Sequence, residues 1–278
     1  MSGKILKLFF PQWQGAGDAK ELYHGAAAIC KGCFSEEEFC QVEVALEEDL
    51  RLHKDIIGYE PILNQLECAA ERISVNSPAK IFMIGGDCGT ELAPVSFLNK
   101  IYKGDLAVIW LDAHGDLNTP SSSASKKFHG MPLRFLLGEG EEEIIAKCFS
   151  KLDASQVFLA GARDFDEEEC HFIRTNNMSC LSVEDIGDRA ENLINSIRSK
   201  GFHQVYLHLD LDVLDPDCFP GVLCPSPGGL SLEALDGILE GLMENFNTVG
   251  FGVLEHAAPQ VDDDGKLMAV LNRVRDRL

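Results

Sequence analysis

Six short apolar runs, at residues 4–10, 80–84, 106–111, 156–160, 204–211 and 249–254, constrain this chain most. Most are continuous rather than alternating. Continuous runs suit strands covered on both faces, and such strands build parallel sheets. Helix-like segments separate them. Ser35 and Glu38 make a capping box ahead of a helix expected over 39–46. Another helix is expected within 182–200, ended by Gly201, and Ser231 can cap a third over 232–244. Residues 121–127 form a polar loop short enough to be functional. No repeat, low-complexity tract or long linker interrupts the series. The expected architecture is a single α/β domain over residues 1–278 with a mostly parallel sheet.

Five of the runs feed into polar residues. Run 80–84 leads to Gly85, Gly86, Asp87 and Cys88, and run 106–111 to Asp112, His114 and Asp116. Run 156–160 leads to Arg163, Asp164 and Asp166. The fifth run leads to Asp210, Asp212 and Asp215, and the last to Glu255 and His256. Open parallel sheets bind ligands outside the carboxyl ends of their strands, so these groups are expected on one rim. Residues i, i+2 and i+4 of an extended segment share a face. Asp112, His114 and Asp116 should therefore converge, as should Asp210 and Asp212. Buried unpaired charges are costly, and a divalent cation is their natural partner. Four aspartates could hold two such ions and acidify a water between them.

Composition narrows the function. With 278 residues and 45% apolar content the chain can bury a large core. A net charge of −21 argues against nucleic acid and anionic membranes. A solvated acidic surface explains most of that charge, which would also steer a cationic substrate inward. No apolar run reaches the roughly 18 residues of a membrane span. The opening residues lack the apolar stretch and cleavage site of a signal peptide, so the expected location is cytoplasmic. Ten cysteines are then expected as reduced thiols. Cys30 and Cys33 form a Cys-x-x-Cys near Cys40, but no second pair completes a zinc knuckle. Ordinary thiols are expected there, with a redox pair or structural zinc as alternatives.

These motifs resemble the ureohydrolases: arginase, agmatinase and related guanidino or formimino hydrolases. The resemblance is clearest over residues 82–259. Gly85-Gly86-Asp87-Cys88 looks like the family's Gly-Gly-Asp-His, and Asp112-Ala113-His114-Gly115-Asp116 like its Asp-Ala-His-x-Asp. Asp210-Leu211-Asp212-Val213-Leu214-Asp215-Pro216 looks like its Asp-x-Asp-x-x-Asp-Pro. Glu255 matches a late Glu, and Pro227-Gly228-Gly229-Leu230-Ser231 another family segment. The resemblance implies a three-layer α/β/α sandwich, a binuclear manganese site, hydrolysis of a linear guanidino compound to urea and an amine, and a homo-oligomer (trimer or hexamer). It implies that Asp112 and Asp210 bridge the metals, that Asp116 serves one of them, and that His114 and Asp212 serve the other. Asp87 is expected to support the site rather than ligate.

Further matches point toward arginase, with arginine cleaved to ornithine and urea. The resemblance assigns Asn118 and Ser125 to the amino-acid carboxylate and Asp166 to the α-ammonium group. It gives proton transfer to His129 and the guanidinium to Glu255.

Two departures fall inside this expected site. Cys88 stands where the family has a metal-binding His, and Cys224 where arginase has a Thr. A thiolate is soft and favours zinc or iron over manganese, so two manganese ions, Zn2+ or Fe2+, or a single metal all remain open. A fifth anion beside four carboxylates would also make bound water less acidic. Cys88 and Cys224 could pair if they lie close. His208 stands where a small residue is usual, and it suits either support of the metal site or simple packing. Trp13 suits the rim or the core. The alternatives are an agmatinase or other guanidino or formimino hydrolase, a metal-poor ligand-binding relative without catalysis, and a zinc amide hydrolase.

Overall fold

The computed structural model describes residues 4–34, 38–187, 189–258 and 265–278. Ten strands are present among them: β1 Ile5–Phe10, β2 Cys40–Gln41, β3 Leu52–His53, β4 Ile56–Ile57, β5 Lys80–Gly85, β6 Ala107–Leu111, β7 Val157–Ala160, β8 Ser179–Leu181, β9 Gln204–Asp210 and β10 Asn247–Leu254. Eight form one sheet in the order β2-β1-β5-β10-β9-β6-β7-β8, and every pair in it is parallel. All six apolar runs are strands of this sheet, within three residues at each end. β3 and β4 make a separate antiparallel hairpin. Lys54 and Asp55 turn it with φ of 51° and 60°, the left-handed values that a two-residue hairpin needs.

Helices cover both faces: α1 Glu21–Phe34, α2 Tyr59–Asn76, α3 Leu92–Ile101, α4 Pro132–Leu136, α5 Glu142–Ile145, α6 Glu167–Thr175, α7 Val183–Ile186, α8 Glu191–Ser199, α9 Leu232–Asn245 and α10 Lys266–Arg277. The period of two along each strand divides the core. Val108, Trp110 and Tyr206 pack with Leu66, Leu92 and Leu133 under α2, α3 and α4. Ile109, Leu111, Leu207 and Phe251 pack with Ala26, Leu193, Leu235 and Leu267 under α1, α8, α9 and α10. The result is a three-layer α/β/α sandwich. Each fully buried large side chain contributes about 1.5–3 kcal/mol of transfer free energy. Among the described residues no helix is long and apolar enough to cross a membrane.

Three local expectations meet different outcomes. Ser231 caps α9 by accepting from the Ala234 amide at 3.1 Å. The segment 182–200 holds two helices, α7 and α8, and Gly201 follows with φ of 81°. The helix expected over 39–46 is not formed. There Leu8 and Phe9 of β1 pair with Cys40 and Gln41, and the Val42 amide donates to the Phe9 carbonyl at 2.9 Å. The open edge of β1 offers this segment a strand partner, and Val42 and Val44 are β-branched residues that suit one. Ser35 of the expected capping box lies outside the described residues.

Candidate metal centre

The four central strands, β5, β10, β9 and β6, end side by side, and each delivers a functional group at its carboxyl end. β5 runs into Gly86, whose Cβ would lie 1.8 Å from the Gln12 carbonyl oxygen; only glycine permits that approach. The turn is locked by Asp87. Its carboxylate accepts from Gln12 Nε2 and the Gly89 amide, both at 2.9 Å, and from the Gly15 amide at 2.8 Å. Asp87 thus supports the turn, and burial, then the Glu255 carboxylate, pushes its pKa up to about 7. Cys88 follows, buried, and donates its Sγ–H to Asp210 Oδ2 at 3.2 Å. Burial and the surrounding carboxylates push this thiol well above its ordinary range.

β6 and β9 supply the acids. Asp112 follows β6, and Trp110 Nε1 and the His114 amide donate to it at 3.1 and 2.6 Å. The chain after Asp112 is not extended: it bends, and Asp116 has φ of 52°. The side chains still converge, through that bend rather than through strand alternation. Asp212 likewise leaves the strand face of Asp210, because residues 211–213 turn into a short 3-10 helix; its amide donates to Asp210 Oδ1 at 2.7 Å. His114 Nδ1 lies 2.9 Å from Asp212 Oδ2 and 3.4 Å from Asp112 Oδ1. Burial opposes a charge on His114, but the two carboxylates prevail and raise its pKa. Burial and neighbouring aspartates raise Asp116 and Asp210 well above the usual carboxylate range, and raise Asp212 to about 6.

The donor atoms fall into three overlapping groups, each within 4.8 Å: Cys88, Asp112, Asp116 and His208; Cys88, Asp210 and Glu255; and Asp112, His114 and Asp212. Asp112 belongs to two of them. Asp116 Oδ2 is buried without a hydrogen-bond partner. A buried carboxylate oxygen with no donor asks for a cation. Oxygen, imidazole and thiol donors at this spacing fit divalent metal ions.

A cavity of about 270 Å³ opens above the acids. Its walls include His114, Asp116, Asn118, Ser125, His129 and Asp166, together with Cys88, Asp210, Asp212, Cys224 and Glu255. Asp112 is buried beneath them. Asn118 Nδ2 donates to Asp166 Oδ2 at 2.8 Å, and its Oδ1 accepts from Ser122 Oγ at 2.8 Å. The 121–127 loop is held by its own serines: Ser123 Oγ accepts from the Lys126 amide at 3.0 Å, and the Lys126 carbonyl accepts from the Ile57 amide at 2.9 Å. His129 Nδ1 is 3.3 Å from Glu255 Oε1. Glu255 has φ of 60°, costly for a residue with a Cβ, and its amide is tied to the Gly86 carbonyl at 2.8 Å. Burial opposes protonation of His129, but the Glu255 and Asp87 carboxylates raise its pKa.

Arg163 does not face the cavity chemistry. It donates to the carbonyls of Gly161, Asp212, Ser226 and Pro227 at 2.7–3.1 Å, which braces the loop carrying Cys224. Asp215 accepts from the Asp217, Gly228 and Gly229 amides and shapes the same loop. Cys88 and Cys224 are both free thiols, as are the buried Cys30 and Cys33 within α1. Trp13 is fully buried in the core, with Nε1 donating to the Ala45 carbonyl at 2.9 Å.

Two residues escaped the sequence reading. Glu169 lines the cavity and accepts from the Leu117 and Asp166 amides at 2.9 Å. Its signal was present: Asp166 and Glu169 stand three apart at the start of α6 as a capping box. Glu91 is completely buried and bonded to His208, and nothing local in its sequence announces that.

A family model described as the arginase family matches residues 22–274. The arginase of Staphylococcus aureus (strain COL) is 34% identical over 223 residues, which cover 78% of this chain and 72% of that one. The arginase from Bacillus caldovelox superposes with a TM-score of 0.85 at 26% identity, covering 99% of this chain and 98% of that one. The Entamoeba histolytica arginase in complex with L-ornithine gives 0.84 with the same coverage; at 21% identity it speaks for the fold alone. The site's acids and imidazoles, the matched span and the relatives agree: this chain belongs to the arginase family and is a ureohydrolase, a hydrolase of guanidino compounds.

Proposed function

We propose that this chain hydrolyses arginine to ornithine and urea with the help of bound divalent cations. The observation that carries the reading is one cavity lined by two unlike sets of side chains. Its floor is the acid and imidazole cluster, and its wall carries Asn118, Ser125 and Asp166, the polar set suited to an amino-acid head group. Asp112, His114, Asp116, Asp210 and Asp212 would hold the metal, with Cys88 beside them. The metal supplies Lewis acidity, which lowers the pKa of water to near neutrality.

The remaining steps belong to side chains. Glu255, carboxylate facing the cavity, pairs with the guanidinium and holds its carbon over the floor. Asp166 takes the α-ammonium group, and Asn118 and Ser125 take the carboxylate. Asn118 Nδ2 has a second N–H beyond the one given to Asp166. The oxygen of water bonds to the guanidinium carbon and releases two protons, which the alkyl nitrogen gains in all as its bond to that carbon breaks, one of them by way of His129. His129, whose raised pKa lets it hold a proton near neutral pH, passes that proton to the departing amine. Atoms balance: one water is consumed, and urea and ornithine leave.

We further read the chain as one cytoplasmic domain that assembles as a homo-oligomer. Manganese is the family's usual ion, and the thiol makes zinc or iron its rivals. The test is urea release from arginine and from agmatine, which lacks the carboxylate. Preference for arginine supports the reading. Equal or better turnover of agmatine transfers it to that substrate.

A further inference from the structure

We propose that His208 is itself a metal ligand, through Nε2, and that with Cys88 it converts one half of the centre into a thiolate–imidazole site that favours zinc-like ions. The proposal rests on the metal-dependent reading above.

His208 lies on β9 between Tyr206 and Asp210, and the period of two points all three to the same face. It is completely buried. Its ring lies flat on Trp110, its register partner on β6, with centroids 3.5 Å apart and planes 8° apart. Nδ1 is 3.1 Å from Glu91 Oε1. A carboxylate can only accept from that nitrogen, so Nδ1 carries a proton, and Nε2, aimed at Asp112, is the nitrogen that would give up its own proton and offer its lone pair to a metal ion. Nε2 faces the site, 3.5 Å from Asp112 Oδ2 and 3.9 Å from Cys88 Sγ. A carboxylate fixing the far nitrogen of a ring is the usual support of a ligating imidazole.

The fold makes room for that support. A Cβ at Gly252 would sit 2.1 Å from Glu91 Oε1, and one at Gly250 would sit 2.2 Å from the Tyr206 ring. Both glycines lie on β10, beside β9. Tyr206 donates its hydroxyl to the other oxygen of Glu91. A completely buried carboxylate, braced by a tyrosine, thus aims one imidazole at the acids. Packing alone needs none of this, and burying a charge without return is expensive. Asp116 Oδ2, in the same donor group, is buried without a partner. One sulfur, one nitrogen and two carboxylate oxygens make a mixed set that suits zinc or ferrous iron better than manganese.

The experiment loads the full chain with zinc and reads the ligands by X-ray absorption, alongside the ion count per chain. Two ions with two imidazoles (His114 and His208) and one sulfur are expected. Two ions with a single imidazole overturn the role of His208 and leave the metal-dependent reading intact. No bound ion overturns both. His208→Gln should weaken binding of one zinc at least about 10-fold, and Glu91→Gln by about 10–100-fold. Both ions retained at wild-type affinity in a folded His208→Gln protein overturn the proposal. If that variant fails to fold, the ligand count on the native chain decides.

Discussion

His129 and Glu255, 3.3 Å apart, carry the division of labour proposed for the cavity. Replacing His129 by Asn keeps a polar side chain but removes the titratable proton. Turnover of arginine should fall by about 10²–10⁴-fold, the range of general acid–base contributions, with bound metal unchanged. Measuring kcat beside metal content separates this from loss of the centre. Asn118 acts on binding. Its Ala variant should raise KM for arginine about 10–100-fold, the loss of a hydrogen bond to a charged group, and leave agmatine turnover alone. Equal effects on both substrates would mean that Asn118 serves only to hold Asp166 and the Ser122 turn.

At the scale of elements, the site depends on how closely β5 and its turn approach the segment after β1. Gly86→Ala would drive a Cβ into the Gln12 carbonyl, and no rotamer change can relieve a backbone clash. The variant should lose about 1–3 kcal/mol or more, read as a lower urea midpoint with an unchanged m-value. The same scale shows what the sequence made legible. The central strands were readable because each is a continuous apolar run, and Asp112 and Asp210 because they stand at the carboxyl ends of such runs. Residues 39–46 were not. Their pattern suits a helix locally, and only the open edge of β1 draws Cys40 and Gln41 into a strand. Glu91 and His208 were missed or left open for a similar reason. Their bond joins residues 117 apart, and the space for it is made by Gly252 on the neighbouring strand β10. The geometry of Asp116 and Asp212 also lay beyond a pattern argument, since both depend on turns that leave the strand axis.

The whole molecule carries a net charge of −21 and gathers several buried carboxylates at one rim. The charge should draw a cationic substrate inward, so kcat/KM for arginine should fall as salt rises. The buried acids set the pH response of the metal-free chain. Burial lifts Asp87 from 3.8 to about 7, so between those values the folded chain binds more protons than the unfolded one, and stability falls as pH rises. His114 and His129, raised by their carboxylates despite burial, act with the same sign from pH 6.5 upward. Asp112 is opposed by burial but lowered by His114 and His208, and its contribution is lost only below pH 3.8. Calorimetry of the metal-free chain should therefore show the midpoint rising on acidification from about pH 8 to about pH 5. With metal bound the trend should reverse, because protons compete with the ions. A metal-free midpoint that drops over that range contradicts this account. The central claim is tested most directly by following urea and ornithine release from arginine while a divalent metal is titrated into the metal-free chain. The account predicts equimolar products whose rate rises with occupancy and levels off at two ions per chain. Two bound ions without any urea, or full turnover under chelator, would contradict it.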